Sequence, residues 1–140
     1  MNPGFLREMV DLSMTSGGGI KFDIKAWNDS LHTALCGVSN KRTKGNFEWV
    51  AEWIKKRPEP PLLIASTLLV PGYIDEEEVR EISRWMASLN QDIPDTLLAF
   101  YPQFFFKDLP VTPRGLAIRC KEAAEKEGLR RVALGNFRLL

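Results

Sequence analysis

The stretch from Leu62 to Val70, LLIASTLLV, is the feature that most limits what this chain can fold into. It is a nearly continuous apolar run of strand length, closed by Pro58 to Pro61 on one side and by Pro71-Gly72 on the other. Runs of that kind are strands covered on both faces, which places them in sheets flanked by helices. The rest of the sequence supplies the helices. Asn2-Pro3 reads as an N-cap followed by proline at the first helical position, and Phe5, Met9 and Leu12 recur at helical spacing until Ser16-Gly17-Gly18-Gly19 stops the helix. Asn28 and Asp29 can cap a short helix ending at Gly37, and Thr43 begins a longer one with Phe47, Val50 and Ile54 inward, broken by Pro58. Asp75 and Glu78 form an N-cap and third-position acid, and the helix they open buries Val79, Ile82, Met86 and Leu89. Thr96 to Tyr101 is a third strand, Thr112-Pro113 starts the last helix, Gly128 stops it, and Arg131 to Leu134 is a fourth strand.

Strands separated by helices run parallel through right-handed crossovers. Two α/β architectures fit: an open doubly wound sheet, or part of a closed (β/α) barrel. A closed barrel takes about eight strands and roughly 250 residues. Here about four strands share 140 residues, so a barrel reading is a partial one, half of a TIM-type barrel, with residues 1–140 as a single domain.

Between the first two helices lies IKFDIK, residues 20–25, which alternates Ile20, Phe22 and Ile24 with Lys21, Asp23 and Lys25. As a strand it puts three apolar side chains on one face and three charges on the other. In a barrel the apolar face meets the helices and the charges point inward, where an unpaired charge is costly. Such a row is stable only if the interior is wet or holds an ionic ligand, and Lys25 lies at the C-terminal strand end, where barrel active sites sit. An ammonium beside a carboxylate suits a zwitterionic ligand, with Lys25 meeting its carboxylate and Asp23 meeting a hydroxyl, an ammonium or a metal ion. The competing reading is a sheet edge, which inward-pointing charges protect from unwanted pairing.

Other residue types offer less chemistry. His32 is the sole histidine, so no Ser/His/Asp triad or two-histidine zinc site can be assembled, and by itself it reads as a surface helix residue. Cys36 and Cys120 have no cysteine close by in sequence and read as small buried thiols. Gly17 to Gly19 precedes a strand where a phosphate-cradling loop would follow one. Trp49, Trp53 and Trp85 read as helix-packing residues, and Phe104 to Phe106 as an apolar cover at a strand exit. Nineteen basic residues against eighteen acidic, a net charge of +1, call for neither nucleic acid nor an anionic membrane as partner. Glu8 and Asp11 interrupt the apolar core that a signal peptide needs, and a cytoplasmic protein is expected.

The pattern Asp23-Ile24-Lys25, then His32, Gly37-Val38-Ser39-Asn40 and Asn46, resembles the second half of the glycyl-radical-enzyme activating enzymes. These are radical S-adenosylmethionine proteins whose prototype activates pyruvate formate-lyase. Val70-Pro71-Gly72 followed by an acidic helix start is similar to the same family, and the resemblance runs from about Asn2 to Leu140. It implies a partial (β/α) barrel with a 4Fe-4S cluster and S-adenosylmethionine at the strand tops. The cofactor is cleaved to methionine and a 5′-deoxyadenosyl radical, which abstracts hydrogen from a glycine or another substrate carbon.

By the same resemblance, Asp23 helps bind a monovalent cation beside the cofactor and Lys25 contacts the cofactor itself. A family arginine aligns with Ser66 and a family histidine aligns near Tyr101, two departures that alter the cofactor-binding set. The turn from Gly37 to Asn40 shapes the top of the barrel. The three cluster cysteines, spaced C-x3-C-x2-C, lie in the family's first half and have no counterpart here. The chain is therefore expected to be the C-terminal portion of a longer or divided protein, truncated ahead of Met1. It is expected to bind neither cluster nor S-adenosylmethionine productively alone. A missing N-terminal half or a second copy would be its partner, and a glycyl radical enzyme its target. A non-catalytic α/β binding module is the alternative.

Overall fold

A computed structural model describes residues 2–100 and 111–136. The chain runs α1 (Pro3–Ser16), β1 (Ile20–Asp23), α2 (Asp29–Cys36), α3 (Lys41–Ala51), a 3-10 turn (Ile54–Lys56), β2 (Leu63–Leu69), α4 (Glu76–Leu89), β3 (Asp95–Ala99), α5 (Arg114–Lys126) and β4 (Val132–Gly135). The four strands form one sheet in the order β1-β2-β3-β4, every pair parallel. Each crossover steps one strand in the same direction, and right-handed crossovers then put all the helices on one face. A doubly wound sheet would reverse direction part-way. The architecture is therefore that of a partial barrel, with β1 at one edge.

The covered face holds the core. Ile20, Phe22, Leu63, Ala65, Leu69 and Leu97 point to the helices and are buried with Leu6, Val10, Phe47, Val50, Ile82, Met86 and Cys120. Phe47 is fully enclosed, edge-on to Phe22 at 5.4 Å and tilted against Trp85 at 4.9 Å. The register aligns Lys21 with Ile64, Asp23 with Ser66, Ser66 with Thr96, and Leu98 with Gly135, so these residues share the opposite face. Among the described residues no helix packs along that face, and α2 meets it only at the C-terminal strand ends, where Leu31 and Leu35 join a small cluster with Leu68, Val70 and Phe100. On that face Ile64, Leu68, Thr96 and Leu98 remain half-buried, so β2 is covered fully on one side only.

Several local expectations change. Helix α1 buries Leu6 and Val10, while Phe5 and Leu12 stay 59% and 68% exposed. The Phe5–Met9–Leu12 stripe is therefore not the docking face. Helix α3 starts at Lys41, ahead of Thr43. His32 is buried, and its Nδ1–H donates to the Val38 carbonyl at 2.7 Å. Cys120 is buried as expected, but Cys36, the last residue of α2 before the left-handed Gly37 at φ 79°, is exposed. Asp75 caps α4, accepting from the Glu77 amide at 3.2 Å, whereas the Glu78 carboxylate points elsewhere, as described below. Tyr101 and Phe104 to Phe106 lie outside the described residues.

Candidate functional site

At the C-terminal end of the helix-free face, adjacent strands bring Asp23 and Ser66 together. The Ser66 hydroxyl, itself buried, donates to Asp23 Oδ1 at 2.6 Å, and the Lys25 ammonium lies 3.6 Å from Asp23 Oδ2. The side chains of Asp23 and Lys25 are 55% and 47% exposed, so both are reachable from solvent while resting on the sheet. The Ser66 hydroxyl is the main influence holding the Asp23 carboxyl below the ordinary carboxylate range; Lys25 and Lys21 add to it, against the opposing effect of partial burial. Asp23 is thus a fixed anion at neutral pH. The sheet-edge reading of the charged row also finds its geometry, because β1 is an edge strand.

A network behind the strand anchors the backbone that follows Lys25. The Glu78 carboxylate accepts the Trp27 amide at 2.7 Å and reaches the Asn28 amide at 3.3 Å, tying the exit of β1 to the first turn of α4. Asn40 Nδ2 donates to the carbonyls of Ala26 at 3.2 Å and Trp27 at 2.8 Å. Asp29 Oδ1 accepts from the Ser39 hydroxyl and the Asn40 amide, both at 2.9 Å, and the Asn40 amide is the chief reason its carboxyl is held low. Lys44 Nζ donates to the Trp27 carbonyl at 2.8 Å while lying 3.7 Å from the centre of the Trp27 ring.

The pattern His32…Gly37-Val38-Ser39-Asn40 is accordingly a loop clamp, every polar member pairing with backbone or with Asp29. Of these supports, Glu78 and Lys44 were not legible as part of the site. Glu78 looked like half of a capping box, and nothing in sequence spacing marks Lys44 for the Trp27 carbonyl, 17 residues earlier in the chain.

Opposite Lys25 the same strand ends turn apolar. A cleft of about 210 Å³ is lined by Lys25, Leu35, Cys36, Leu68, Val70 and Phe100. Deeper in the sheet, Thr112 Oγ1 donates to the Leu69 carbonyl at 2.6 Å and accepts the Phe100 amide at 2.7 Å, closing the ends of β2 and β3.

The cluster implied by the resemblance does not fit these residues. The sequence has two cysteines, and burial pushes the Cys120 thiol up to about 12, far from the thiolate a cluster needs. Among the described residues no three His, Cys, Asp or Glu side chains gather to hold a metal ion.

With this geometry in view, one comparison is informative. A domain of pyruvate-formate lyase-activating enzyme from Bacteroides vulgatus ATCC 8482 superimposes with a TM-score of 0.73 over 93% of this chain and 74% of that one, at 20% sequence identity. The fold is shared. No family model and no curated protein matches the sequence. No helix among the described residues is long and apolar enough to cross a membrane.

Proposed function

We propose that this chain is the C-terminal half of a radical S-adenosylmethionine barrel of the activating-enzyme type, working in the cytoplasm with a first half-barrel that supplies the 4Fe-4S cluster. The observation that carries the reading is the Asp23–Ser66–Lys25 constellation, where the end of β1 meets the middle of β2 on the helix-free face of a sheet whose fold is shared with an activating-enzyme domain.

S-adenosylmethionine, when bound, supplies a cleavable sulfonium bond. Lys25 would hold its carboxylate, and Leu68 and Val70 would line its less polar side. Ser66, at the position of the second basic contact, would act through Asp23, whose carboxyl its hydroxyl holds below the ordinary range. A monovalent cation at Asp23 would compete with the Lys25 ammonium for Oδ2. Tyr101 is assigned the remaining contact by resemblance alone. The cluster's thiolate ligands would come from the first half-barrel, since this sequence has no C-x3-C-x2-C triad. That misfit favours a second reading, a non-catalytic α/β module that uses the same face to bind a partner or a small molecule.

The half-barrel's partner would sit on the helix-free face and the open edge of β1. A second copy is the substitute when no first half is present, and light scattering would then show a dimer growing with concentration. Anaerobic reconstitution with iron and sulfide separates the two readings. This chain alone should stay colourless, and a mixture with a first half-barrel carrying C-x3-C-x2-C should co-elute and take up a cluster. A partner segment that loads its cluster yet elutes apart from this chain would leave the module reading in its place.

A further inference from the structure

The cleft at the strand ends has walls of one kind and a rim of another. Among the described residues, Leu35 from α2, Leu68 and Val70 from β2 and its exit, and Phe100 beyond β3 make the wall, and Lys25 is the charged group on it. Leu35 and Leu68 are only half-buried, leaving apolar surface that a ligand would remove from water. We propose that this cleft binds a small monocarboxylate with an apolar body, its carboxylate on the Lys25 ammonium and its body against Leu35, Leu68, Val70 and Phe100. The inference rests on the reading of the β1 tip as a ligand-binding strand end, and goes beyond it in naming the ligand's class.

Charge sets the class to a single anion. The Lys25 ammonium carries three donors, and its 3.6 Å approach to Asp23 Oδ2 leaves room for a second carboxylate. Asp23 stands beside it, held ionised by the Ser66 hydroxyl, so a second negative group on the ligand would meet a fixed anion. Phosphate esters and dicarboxylates are disfavoured on that ground, and ligands whose only charge is an ammonium by Lys25 itself. Volume sets the size. Sites for drug-sized ligands occupy about 300–1,000 Å³, and 210 Å³ suits a smaller molecule.

Cys36 provides the measurement. It lies on the cleft wall and is exposed, whereas Cys120 is buried with its thiol pushed up to about 12. Iodoacetamide should therefore alkylate the native chain at Cys36, and mass spectrometry of the peptide gives the rate. Octanoate below its micelle concentration should slow that alkylation several-fold and shift the amide resonances of Leu68 and Val70. Octanol and octylamine at equal concentration should act on the order of tenfold more weakly, and Lys25→Met should bring octanoate down to the level of octanol.

Equal protection by octanol, or neither protection nor resonance shifts with octanoate, would overturn the proposal. An S-adenosylmethionine arm, run with the first half-barrel present, separates this inference from the reading it rests on. Protection by S-adenosylmethionine without any effect of octanoate sinks the monocarboxylate and leaves the barrel reading standing. Protection by octanoate with no S-adenosylmethionine binding to the assembly does the reverse.

Discussion

Asp23 and Asp95 occupy opposite faces of one parallel sheet. Asp23 faces outward from the edge strand β1, accepts a hydrogen bond from Ser66, lies near Lys25 and is held low. Asp95 opens β3 on the helix-covered face, is 1% exposed, and neither of its carboxylate oxygens has a hydrogen-bond partner. Burial alone raises it to about 7. The same side chain is thus an anion where the sheet meets solvent, and an acid that holds its proton well above the ordinary carboxylate range where it meets the core. Partners and water decide which, and the difference marks the helix-free face as the one built for charge.

Four perturbations break or sharpen that contrast, taken from the largest effect to the smallest. Phe47→Ala, on the covered face, empties a site enclosed by Phe22 and Trp85 and should cost about 3–5 kcal/mol in denaturant unfolding. Asp95 should make stability fall as pH rises. The folded state binds the extra proton between the unfolded value of about 3.9 and the folded value of about 7. Its contribution is therefore complete below the first, declines between them and is lost above the second, by roughly 3–4 kcal/mol. Asp95→Asn should flatten that slope, seen as unfolding midpoints that converge near pH 4 and separate above pH 7, the variant being the more stable there.

Thr112→Val removes both hydrogen bonds that join the ends of β2 and β3 and should cost about 1–3 kcal/mol, with faster amide exchange at Phe100. The smallest effect on stability belongs to the helix-free face. Asp23→Asn should change unfolding by less than about 1 kcal/mol, because the carboxylate is more than half exposed. What Asp23 does contribute is present above the ordinary aspartate range and is lost as pH falls through its lowered folded value. Ser66→Ala should move that carboxyl back up, read directly by carbon NMR.

The sheet was legible because its signals are cooperative. The apolar run of β2, the proline and glycine punctuation and the alternation of Lys21, Asp23 and Lys25 mark the strands, and helices between every pair make them parallel, whereas the consecutive order came from the structure, since a doubly wound sheet alternates in the same way. Helix α1 was less legible for a physical reason. Phe5, Met9 and Leu12 form one apolar stripe and Leu6, Val10 and Met14 another, so helical period alone cannot choose which faces the sheet. His32 and Cys36 were misplaced, to the surface and the interior respectively, because each depends on a turn: the left-handed Gly37 exposes Cys36 and carries Val38 back over the His32 ring. Asp95 gave no sequence signal at all, being a polar residue in the slot where a strand pattern expects an apolar one. In the candidate site the Asp23–Lys25 spacing was visible in the chain, while the approach of Ser66 required the β1–β2 register, and the anchoring of the strand exit by Glu78 required the packing of α4.

The most direct test of the functional reading is isothermal titration of S-adenosylmethionine into this chain assembled with a cluster-bearing first half-barrel, alongside the same assembly carrying Asp23→Asn and Lys25→Met. Saturable binding to the first assembly, weakened at least tenfold in the second while cluster absorbance and complex size stay unchanged, is the predicted result. Equal binding by both assemblies would contradict it, because the charged row on β1 would then have no part in holding the ligand.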